Sequence, residues 1–443
     1  MKKFNIATSC VPSMHYMVDI SGKIKKIRKL IDVGEYFTIN KARQFGKTTA
    51  RYALKSELKD EYIVLNISFE GQGEKSFQDE ESFSKSIFTM FADSVSFNDE
   101  NLEKEFIELS KDVSNFKELS RKVTKFVKKN NKKIILLIDE VDKSSNNQLF
   151  LSFLGLLRDK YIGRNNGEDA TFWSVVLFGV HDIKNLKVKV RPGEIEMLNS
   201  PWNVAVDFKV DMTFNPKEIS TMLIDFEKDY KTGMDIEKIS NLIYYYTSGY
   251  PYLVSKLPFL IHEELDDDFT EEGMKKAVKS LLKEKNTLFD DLIKNFENNK
   301  DLYRVIKSIL LEGNKIGYNI SNPILGMAEM YGIIKANNES VKIHNIIFEK
   351  YIYDYMISKR ETSKGRETAS VTRSEYIKEN GDLDMTKVLD RFQDFMYREY
   401  RKEDEKFLEK NGRLIFLAWI KPIINGIGFY DVESETRDNK KMD

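Results

Sequence analysis

A continuous run of aliphatic residues is the feature that most constrains the fold of this 443-residue chain. The run extends from Ile134 to Ile138 in the stretch KKIILLIDEVDK and ends at Asp139 and Glu140. A short, uninterrupted apolar run of this kind is typical of a central strand in a parallel sheet, which is buried on both faces. Open parallel sheets bind ligands at the carboxyl ends of their strands. The run therefore predicts an α/β fold with two carboxylates at the ligand-binding edge of its sheet.

A glycine-containing loop earlier in the chain predicts a phosphate site at the same edge. The stretch GEYFTI (34–39) is apolar and β-branched enough to form a strand, and TTARYALKSELKD (48–60) has apolar residues at helical spacing. Gly46 and Lys47 directly precede this helical stretch, and Thr48 is its first residue. A strand, a loop and a helix N-terminus in this order present backbone N–H groups to a phosphate. We predict that Lys47 contacts the β- and γ-phosphates of ATP and that the Thr48 hydroxyl ligates Mg²⁺.

The loop departs from the full phosphate-binding pattern at one position. Lys41 stands where G-x-x-x-x-G-K-[ST] has its first glycine, so the flexibility that glycine gives a tight turn is lost. A GKT tripeptide alone is weak support for nucleotide binding, and the acidic pair strengthens it. Asp139 is predicted to hold Mg²⁺ through water, and Glu140 to orient and deprotonate the attacking water. The alternative is a solvated acidic turn after a strand.

Three further stretches are predicted to be strands of the same sheet. They are YIVLNISFE (62–70), FWSVVLFGVHD (172–182) and WNVAVDF (202–208). If the predicted site binds ATP, the strand after the acidic one is expected to end in a polar sensor of the γ-phosphate. His181 or Asp182 is predicted to take that role, and the alternative is a strand that simply leaves the core at a polar turn.

Composition excludes several other classes of protein. The net charge of −1 gives no general attraction for nucleic acid or anionic membranes, so any nucleic-acid contact needs a local patch. A single cysteine, Cys10, excludes an intramolecular disulfide and fits a reducing cytosol. The four histidines lack zinc-ligand spacing, and no stretch reaches the roughly 20 apolar residues of a membrane span. We therefore expect a cytoplasmic protein without membrane contact.

Several motifs, taken together and in order, resemble a known group of ATPases. HYMVDI, YFTINKARQFGKTT, IILLIDEVDK, LFGVHDIKNL, SPWNVAVDF and TSGYPYLV are similar to segments of bacterial AAA-like ATPases of the signal-transduction (STAND) and archaeal-ATPase type, over about residues 1 to 355. In these families the first loop glycine is commonly replaced while the R-Q-F-G-K-T core is kept. The resemblance implies that Lys41 is a family variation. It also implies a set of nucleotide-binding residues: Arg43, Gln44, Phe45, Gly46, Lys47, Thr48, Thr49 and His181. Arg43 is explained equally well as a surface residue.

The chain after the sheet is predicted to be helical. NPKEISTMLIDFEKDY (215–230) opens with asparagine and proline at capping positions, and residues 236–265 form two helices broken at Gly249-Tyr250-Pro251. This G-x-P resembles the lid motif of STAND ATPases, and the alternative is an ordinary helix breaker. Residues 302–358 look like a winged helix with a hairpin around Asn337-Asn338. Its would-be recognition helix, 321–332, contains no lysine or arginine, so we favour a structural or protein-contact role over DNA binding.

The C-terminal part is predicted to be an appended segment. Residues 358–373 have linker composition, and the tail beyond them resembles the opening of a PD-(D/E)XK nuclease-like domain. Asp443 is the last residue and no E-x-K follows it, so nuclease activity is not expected. The predicted domains are an AAA-like P-loop ATPase core (1–214), a helical lid (215–300), a winged-helix-like domain (301–357), a linker (358–380) and a truncated nuclease-like segment (381–443).

The predicted function is a Mg²⁺-dependent ATPase that works as a nucleotide-driven switch, with a DNA-processing or defence-type effector that is incomplete in this chain. A nucleotide-binding scaffold or sensor with negligible turnover is the alternative, and Glu140 favours the first because a pure binder does not need it. A homo-oligomer is left open, with Arg158, Arg164 and Arg191 as candidate arginine fingers. A protein partner or DNA remains unproven from the sequence.

Overall fold

The computed structural model describes most of the chain. It covers residues 2–141, 147–180, 202–311, 316–319, 321–336 and 340–363, with 376, 378, 383–399, 416–417 and 420. The chain divides into two compact units, Met1–Tyr244 with Ser248–Ala277, and Tyr245–Thr247 with Val278–Asp443. The finer division into five domains stays a prediction.

A parallel sheet of four strands organises the first unit. The strands of this unit, in chain order, are β1 (Lys3–Phe4), β2 (His15–Tyr16), β3 (Tyr36–Asn40), β4 (Ile63–Ser68), β5 (Ile134–Asp139) and β6 (Ser174–Gly179). β1 pairs with β2, and the other four strands are ordered β3-β6-β5-β4, all parallel. Parallel neighbours need crossover connections, which here are helical. The fold is therefore α/β, with a parallel sheet flanked by helices, as predicted.

The helices that lie between the strands of the first unit supply these crossovers and cover the sheet. They are α1 (Ser21–Asp32), α2 (Lys47–Leu58), α3 (Glu80–Val95), α4 (Glu100–Lys111), α5 (Phe116–Lys129) and α6 (Gln148–Asn165). Every residue of β5 is buried, as the aliphatic run predicts. On one face of the sheet, Ile134, Leu136 and Ile138 pack in a single apolar cluster with side chains of α3, α5 and α6. Burial of this strand fixes where its last residue, Asp139, lies.

The helices that follow the sheet begin and break at the predicted residues. They are α7 (Pro216–Tyr230), α8 (Ile236–Thr247), α9 (Pro251–Glu264) and α10 (Glu271–Lys283). Asn215 and Glu218 form a capping box at the start of α7, which satisfies N–H groups that a helix N-terminus leaves unpaired. Ser248 and Gly249 have positive φ between α8 and α9, and Pro251 begins α9. The G-Y-P stretch therefore does separate two helices.

The predicted fifth strand, 202–208, is wrong in extent. Its pairing with the sheet is one bridge, Phe37 to Val206, where the Val206 N–H donates to the Tyr36 carbonyl over 2.9 Å. Trp202 is fully buried beside β3, with its indole N–H 3.1 Å from the hydroxyl oxygen of Thr38. The Ala205 N–H donates to the Trp202 carbonyl, so the backbone turns where an extended strand was expected. The stretch therefore turns at the buried Trp202 and pairs with the sheet at Val206.

The second unit contains helices and a pair of strands, among them a helix and a hairpin where they were predicted within residues 302–358. They are α11 (Thr287–Asn298), α12 (Lys300–Leu311), α13 (Pro323–Met330), β7 (Ile334–Ala336), β8 (Val341–Ile343) and α14 (Ile346–Ser363), with α15 (Met385–Glu399) beyond them. β7 and β8 are antiparallel, and the turn at Asn337-Asn338 lies outside the described residues. The winged-helix assignment stays a prediction.

The C-terminal segment is only partly described. Val388 of α15, Tyr376 and Ile420 form a small buried cluster, against which Leu383 and Phe416 pack. Residues 400–415 and 421–443 lie outside the described residues, so the nuclease-like resemblance of the tail stays untested. Within the described part of the chain, no helix combines the length and apolar character that crossing a membrane requires.

Gly249, between α8 and α9, lies very close to the backbone of Phe214, and this close approach can be tested. A Cβ at Gly249 would lie 2.1 Å from the carbonyl oxygen of Phe214, and φ is +74°. Gly233 is a matched control, because its φ is +76° and a Cβ there would meet nothing within 4 Å. Gly233→Ala should lower the free energy of unfolding by about 1 kcal/mol through backbone strain alone.

Gly249→Ala should cost at least twice as much, because the backbone of Phe214 must move. Chemical denaturation of both variants measures the difference. Equal losses in the two variants would contradict the close approach at Gly249.

Candidate functional site

The loop between β3 and α2 has two residues in the left-handed backbone region. Gln44 has φ of 57° and Gly46 has φ of 77°, and Gly46 is the N-cap of α2. Lys41 is not among the residues with positive φ, and its N–H donates to the Gly179 carbonyl of β6 over 3.1 Å. A non-glycine residue therefore fits at Lys41 without backbone strain, which explains why the loop tolerates the departure from the pattern.

The ammonium group of Lys47 lies within the arc of this loop. Its Nζ donates to the carbonyl oxygens of Lys41 over 2.7 Å and Ala42 over 2.9 Å. The Lys41 side chain extends over the Phe45 ring, with its Nζ 6.0 Å from the ring centroid. The loop thus forms a closed turn around a cation at the N-terminus of α2, and such a helix end favours anions.

The two predicted carboxylates lie where β5 ends. Asp139 is 5% exposed, and its Oδ1 accepts the Glu140 N–H over 3.0 Å. Glu140 has φ of 53°, a left-handed conformation that is uncommon for residues other than glycine and recurs at active sites. The backbone therefore changes direction sharply at the residue predicted to act on water.

Arg51 is a member of this group that the sequence reading missed. Its Nη2 lies 3.2 Å from Oδ2 of Asp139, and both side chains are buried. Arg51 follows Lys47 by one helical turn of α2, so the i, i+4 spacing places both on one side of the helix. The spacing from Lys47 was the feature of the sequence from which Arg51 could have been predicted.

The N-terminal segment also reaches the loop, which the sequence reading did not anticipate. The Cys10 N–H donates to the Thr49 Oγ1 over 3.0 Å, so the hydroxyl of Thr49 already has a backbone partner. Burial raises the pKa of the Cys10 thiol above its usual range, and this outweighs the opposing hydrogen bonds with Asn5 and Thr49. Residues 5–10 therefore form one wall of the site.

The G-Y-P stretch contacts the loop directly. The Tyr250 hydroxyl donates to the Arg43 carbonyl over 2.7 Å, and its ring meets the Phe45 ring edge-on at 4.8 Å between centroids. Tyr250 is 1% exposed. The backbone of Arg43 is thus held by a residue at the start of α9, whichever role its side chain has.

These residues line one cleft of about 570 Å³ at the carboxyl edge of the sheet. Its lining includes every predicted site residue that the structure describes: Arg43, Gln44, Phe45, Gly46, Lys47, Thr48, Thr49, Asp139 and Glu140. His181, together with Asp182 and Arg191, lies outside the described residues.

Arg164, a candidate arginine finger, lies elsewhere on the sheet. Its guanidinium donates to the carbonyls of Gly34 (2.8 Å), Phe172 (3.1 Å) and Trp173. These carbonyls precede β3 and β6, at the sheet edge opposite the cleft. Arg158 of α6 is half-buried and is not among the residues that line the cleft. Neither arginine therefore reaches the cleft of its own chain.

The donor set fits a magnesium ion that is shared with a nucleotide. Among the described residues, no group of three or more histidine, cysteine, aspartate or glutamate side chains could hold a metal ion by itself. Mg²⁺ bound with a phosphate substrate usually takes one or two protein oxygens and completes its shell with phosphate and water. Thr48 and Asp139, in one cleft, meet that requirement.

A GKT loop after one strand and an acidic pair after another strand of the same parallel sheet define a P-loop NTPase. A family model described as an AAA-like domain matches residues 8–354. The chain therefore belongs to the AAA-like domain family. A search of curated protein sequences finds no match.

Solved structures share the fold at low sequence identity. A Walker-type ATPase of Pyrococcus abyssi is 13% identical, with a TM-score of 0.55, over 79% of this chain and 99% of that one. RuvB of Thermotoga maritima is 11% identical, with a TM-score of 0.37, over 80% and 97%. The ORC2 protein of Aeropyrum pernix in its ADP form is 11% identical, with a TM-score of 0.38, over 80% and 96%. The first supports the fold, and the other two are too distant to add to it.

The contact between Tyr250 and the loop gives a testable prediction. Tyr250→Phe should lower the free energy of unfolding by about 1 kcal/mol, because it deletes one hydrogen bond of a buried hydroxyl. It should also weaken nucleotide affinity, because the Arg43 backbone loses a constraint. Tyr244→Phe is the control, since Tyr244 is 39% exposed and its hydroxyl has no comparable burial. Equal stability and affinity in the two variants would show that the contact does not support the loop.

Proposed function

We propose that this chain binds Mg²⁺-ATP in the cleft and hydrolyses it to ADP and phosphate. The observation that carries the proposal is the convergence of Lys47, Thr48, Asp139 and Glu140 on one cleft at the carboxyl edge of the sheet. Membership of the AAA-like domain family and the fold shared with a Walker-type ATPase support it.

The loop supplies the phosphate-binding groups in this proposal. Backbone N–H groups of residues 43–46 and the N-terminus of α2 attract phosphate oxygens, as helix termini with glycine-containing loops do. Lys47 contributes a flexible cation that exchanges its carbonyl partners for the β- and γ-phosphates. Arg43, Gln44, Phe45 and Thr49 shape the loop, and Phe45 does so through its ring contact with Tyr250.

The acidic pair supplies the hydrolytic groups. Thr48 and Asp139 would hold Mg²⁺, which when bound neutralises charge on the phosphates. Glu140 orients the attacking water and takes its proton. Its left-handed backbone conformation supports this role, because a strained residue persists only where its surroundings hold it in place. His181 is the proposed γ-phosphate sensor on sequence grounds alone.

One hydrogen bond connects the phosphate loop with the helices after the sheet. Tyr250 joins the Arg43 carbonyl to the first turn of α9, so a loop that moves on phosphate binding would change this contact. On this basis we extend the proposal to a STAND-type switch, in which the G-Y-P region is the lid. An effector of DNA-processing or defence type, a winged helix at 301–357 and a nuclease-like tail stay as sequence-based parts of it.

The proposed partners and location of the switch are argued from which residue types are present. α13, the would-be recognition helix, carries Glu329 and no basic residue, which favours a protein partner over DNA. A homo-oligomer would allow an arginine of one subunit to complete the site of another. The single cysteine fits a cytoplasmic location.

The second candidate is a scaffold or sensor that binds nucleotide with negligible turnover. Asp139 favours it in one respect, because its carboxylate already has an internal cation, Arg51. Glu140 favours hydrolysis. The two candidates share the loop and differ in what Glu140 does, so a substitution at Lys47 tests both and a substitution at Glu140 separates them.

Lys47→Ala should abolish detectable ATP binding, because it removes the flexible cation of the loop. Equilibrium dialysis with labelled ATP measures the affinity. Lys59→Ala is the matched control, since Lys59 is an exposed lysine at the end of the same helix. ATP affinity in Lys47→Ala within a few-fold of the wild type would mean that the loop does not bind phosphate.

Glu140→Gln should keep ATP bound while turnover falls by roughly 10²-fold or more, the loss expected when a general base is removed. Phosphate release measures turnover, with and without single- and double-stranded DNA. Glu74→Gln, an exposed carboxylate outside the cleft, serves as the control. Asp139→Asn should instead reduce the dependence on Mg²⁺. Unchanged turnover in Glu140→Gln would favour the scaffold.

A further inference from the structure

Arg51 has an unusual set of contacts for a buried guanidinium. It is 6% exposed and lines the nucleotide cleft. Its Nη2 is paired with Asp139 at 3.2 Å, and its Nη1 reaches the Ile67 carbonyl only at 3.4 Å. Its Nε has no hydrogen-bond partner within the described residues. The Cζ of the guanidinium lies 5.0 Å from the ring centroid of Tyr52. Most of the favourable contact of this cation is therefore with Asp139.

Asp139 depends on Arg51 in return. Its Oδ1 accepts the Glu140 N–H and its Oδ2 faces Arg51, so both oxygens have partners inside the protein. A carboxylate that is 5% exposed needs a compensating charge, because burial of an unpaired charge is costly. The pair is therefore a mutual requirement of two buried charges, whether or not a metal ion is present.

We propose that Arg51 is the internal counter-ion of Asp139 and a positioning residue for the metal site. Its guanidinium neutralises the carboxylate and holds it at the end of β5. By the same charge it weakens the attraction of the cleft for Mg²⁺. The part that concerns metal rests on the proposed function, whereas the ion pair does not.

The sign of the effect on metal follows from Coulomb's law. A cation a few ångströms from Asp139 repels a second cation that approaches the same carboxylate, and partial burial limits screening by solvent. Removal of the Arg51 charge leaves Asp139 uncompensated, and Mg²⁺ is the cation that then compensates it. Mg²⁺ should therefore contribute more to nucleotide binding in a variant without this charge.

The first experiment compares ADP affinity in Mg²⁺ with ADP affinity in EDTA, at matched ionic strength and above neutral pH. Arg51→Met removes the charge and keeps an unbranched apolar side chain in place of the methylene stem, whereas Arg51→Lys keeps the charge. The ratio of the two affinities should rise roughly tenfold or more in Arg51→Met and stay near the wild-type value in Arg51→Lys. An unchanged ratio in folded Arg51→Met would overturn the metal role and leave Arg51 a structural residue.

The second experiment tests the ion pair without nucleotide or metal. Melting temperatures are measured for the wild type, Arg51→Met, Asp139→Asn and the double variant. Each single change should lower the melting temperature, and the double variant should lose clearly less than the sum, because neither charge is then left unpaired. Additive losses would overturn the pairing. If Arg51→Met does not fold, Arg51→Gln carries both experiments.

The outcomes separate this inference from the proposed function. Loss of ATP binding in Lys47→Ala concerns the loop alone, and the melting-temperature cycle concerns Arg51 and Asp139 alone. Coupled melting temperatures together with ATP binding by Lys47→Ala would keep the ion pair and reject the nucleotide site.

Discussion

Burial of β5 on both faces is the constraint on which the site depends. Its neighbours β4 and β6 pair with it along its length, and each of its residues, Asp139 included, is buried. A strand in this position delivers its last side chain to the carboxyl edge of the sheet, where ligands bind. The same burial places a carboxylate in a poorly solvated position, which requires a cation. Arg51 is that cation, so the helix after the loop and the strand in the middle of the sheet are chemically connected.

The loop itself is held from two sides. Lys47 draws the carbonyls of Lys41 and Ala42 together from within, and Tyr250 holds the Arg43 carbonyl from outside. Backbone carbonyls, which every residue type provides, make these contacts. The loop can therefore accept a lysine at position 41, because its backbone carbonyl makes the same contact with Lys47 that the carbonyl of a glycine would make. Glycine is favoured at Gly46, where φ is 77°.

Sequence alone predicted what is determined locally. The strand 134–139, the helix after Gly46 and the break at 249–251 follow from short-range patterns, and all are present. Contacts between distant segments were beyond its reach: the Tyr250 hydroxyl and the Arg43 carbonyl belong to residues 207 positions apart. The expected fifth strand is reduced to one bridge because the backbone turns at the buried Trp202, and periodicity does not reveal where an apolar stretch will turn. Arg51, which the sequence analysis did not name, lies between these cases, since its spacing from Lys47 was visible in the sequence but its partner Asp139 was not.

Both charged groups that the proposal assigns to ATP and its metal ion have internal partners in this structure. Lys47 has the carbonyls of its own loop, and Asp139 has Arg51. Under this proposal, nucleotide binding would be an exchange of partners, in which phosphate replaces carbonyls and Mg²⁺ competes with a guanidinium. An exchange yields less net free energy than capture by charges exposed to water would suggest, because the protein gives up existing contacts. The same internal contacts hold the loop and the end of β5 in place, so nucleotide could enter and leave without unfolding them. Reversible occupancy of this kind is what a nucleotide-driven switch requires.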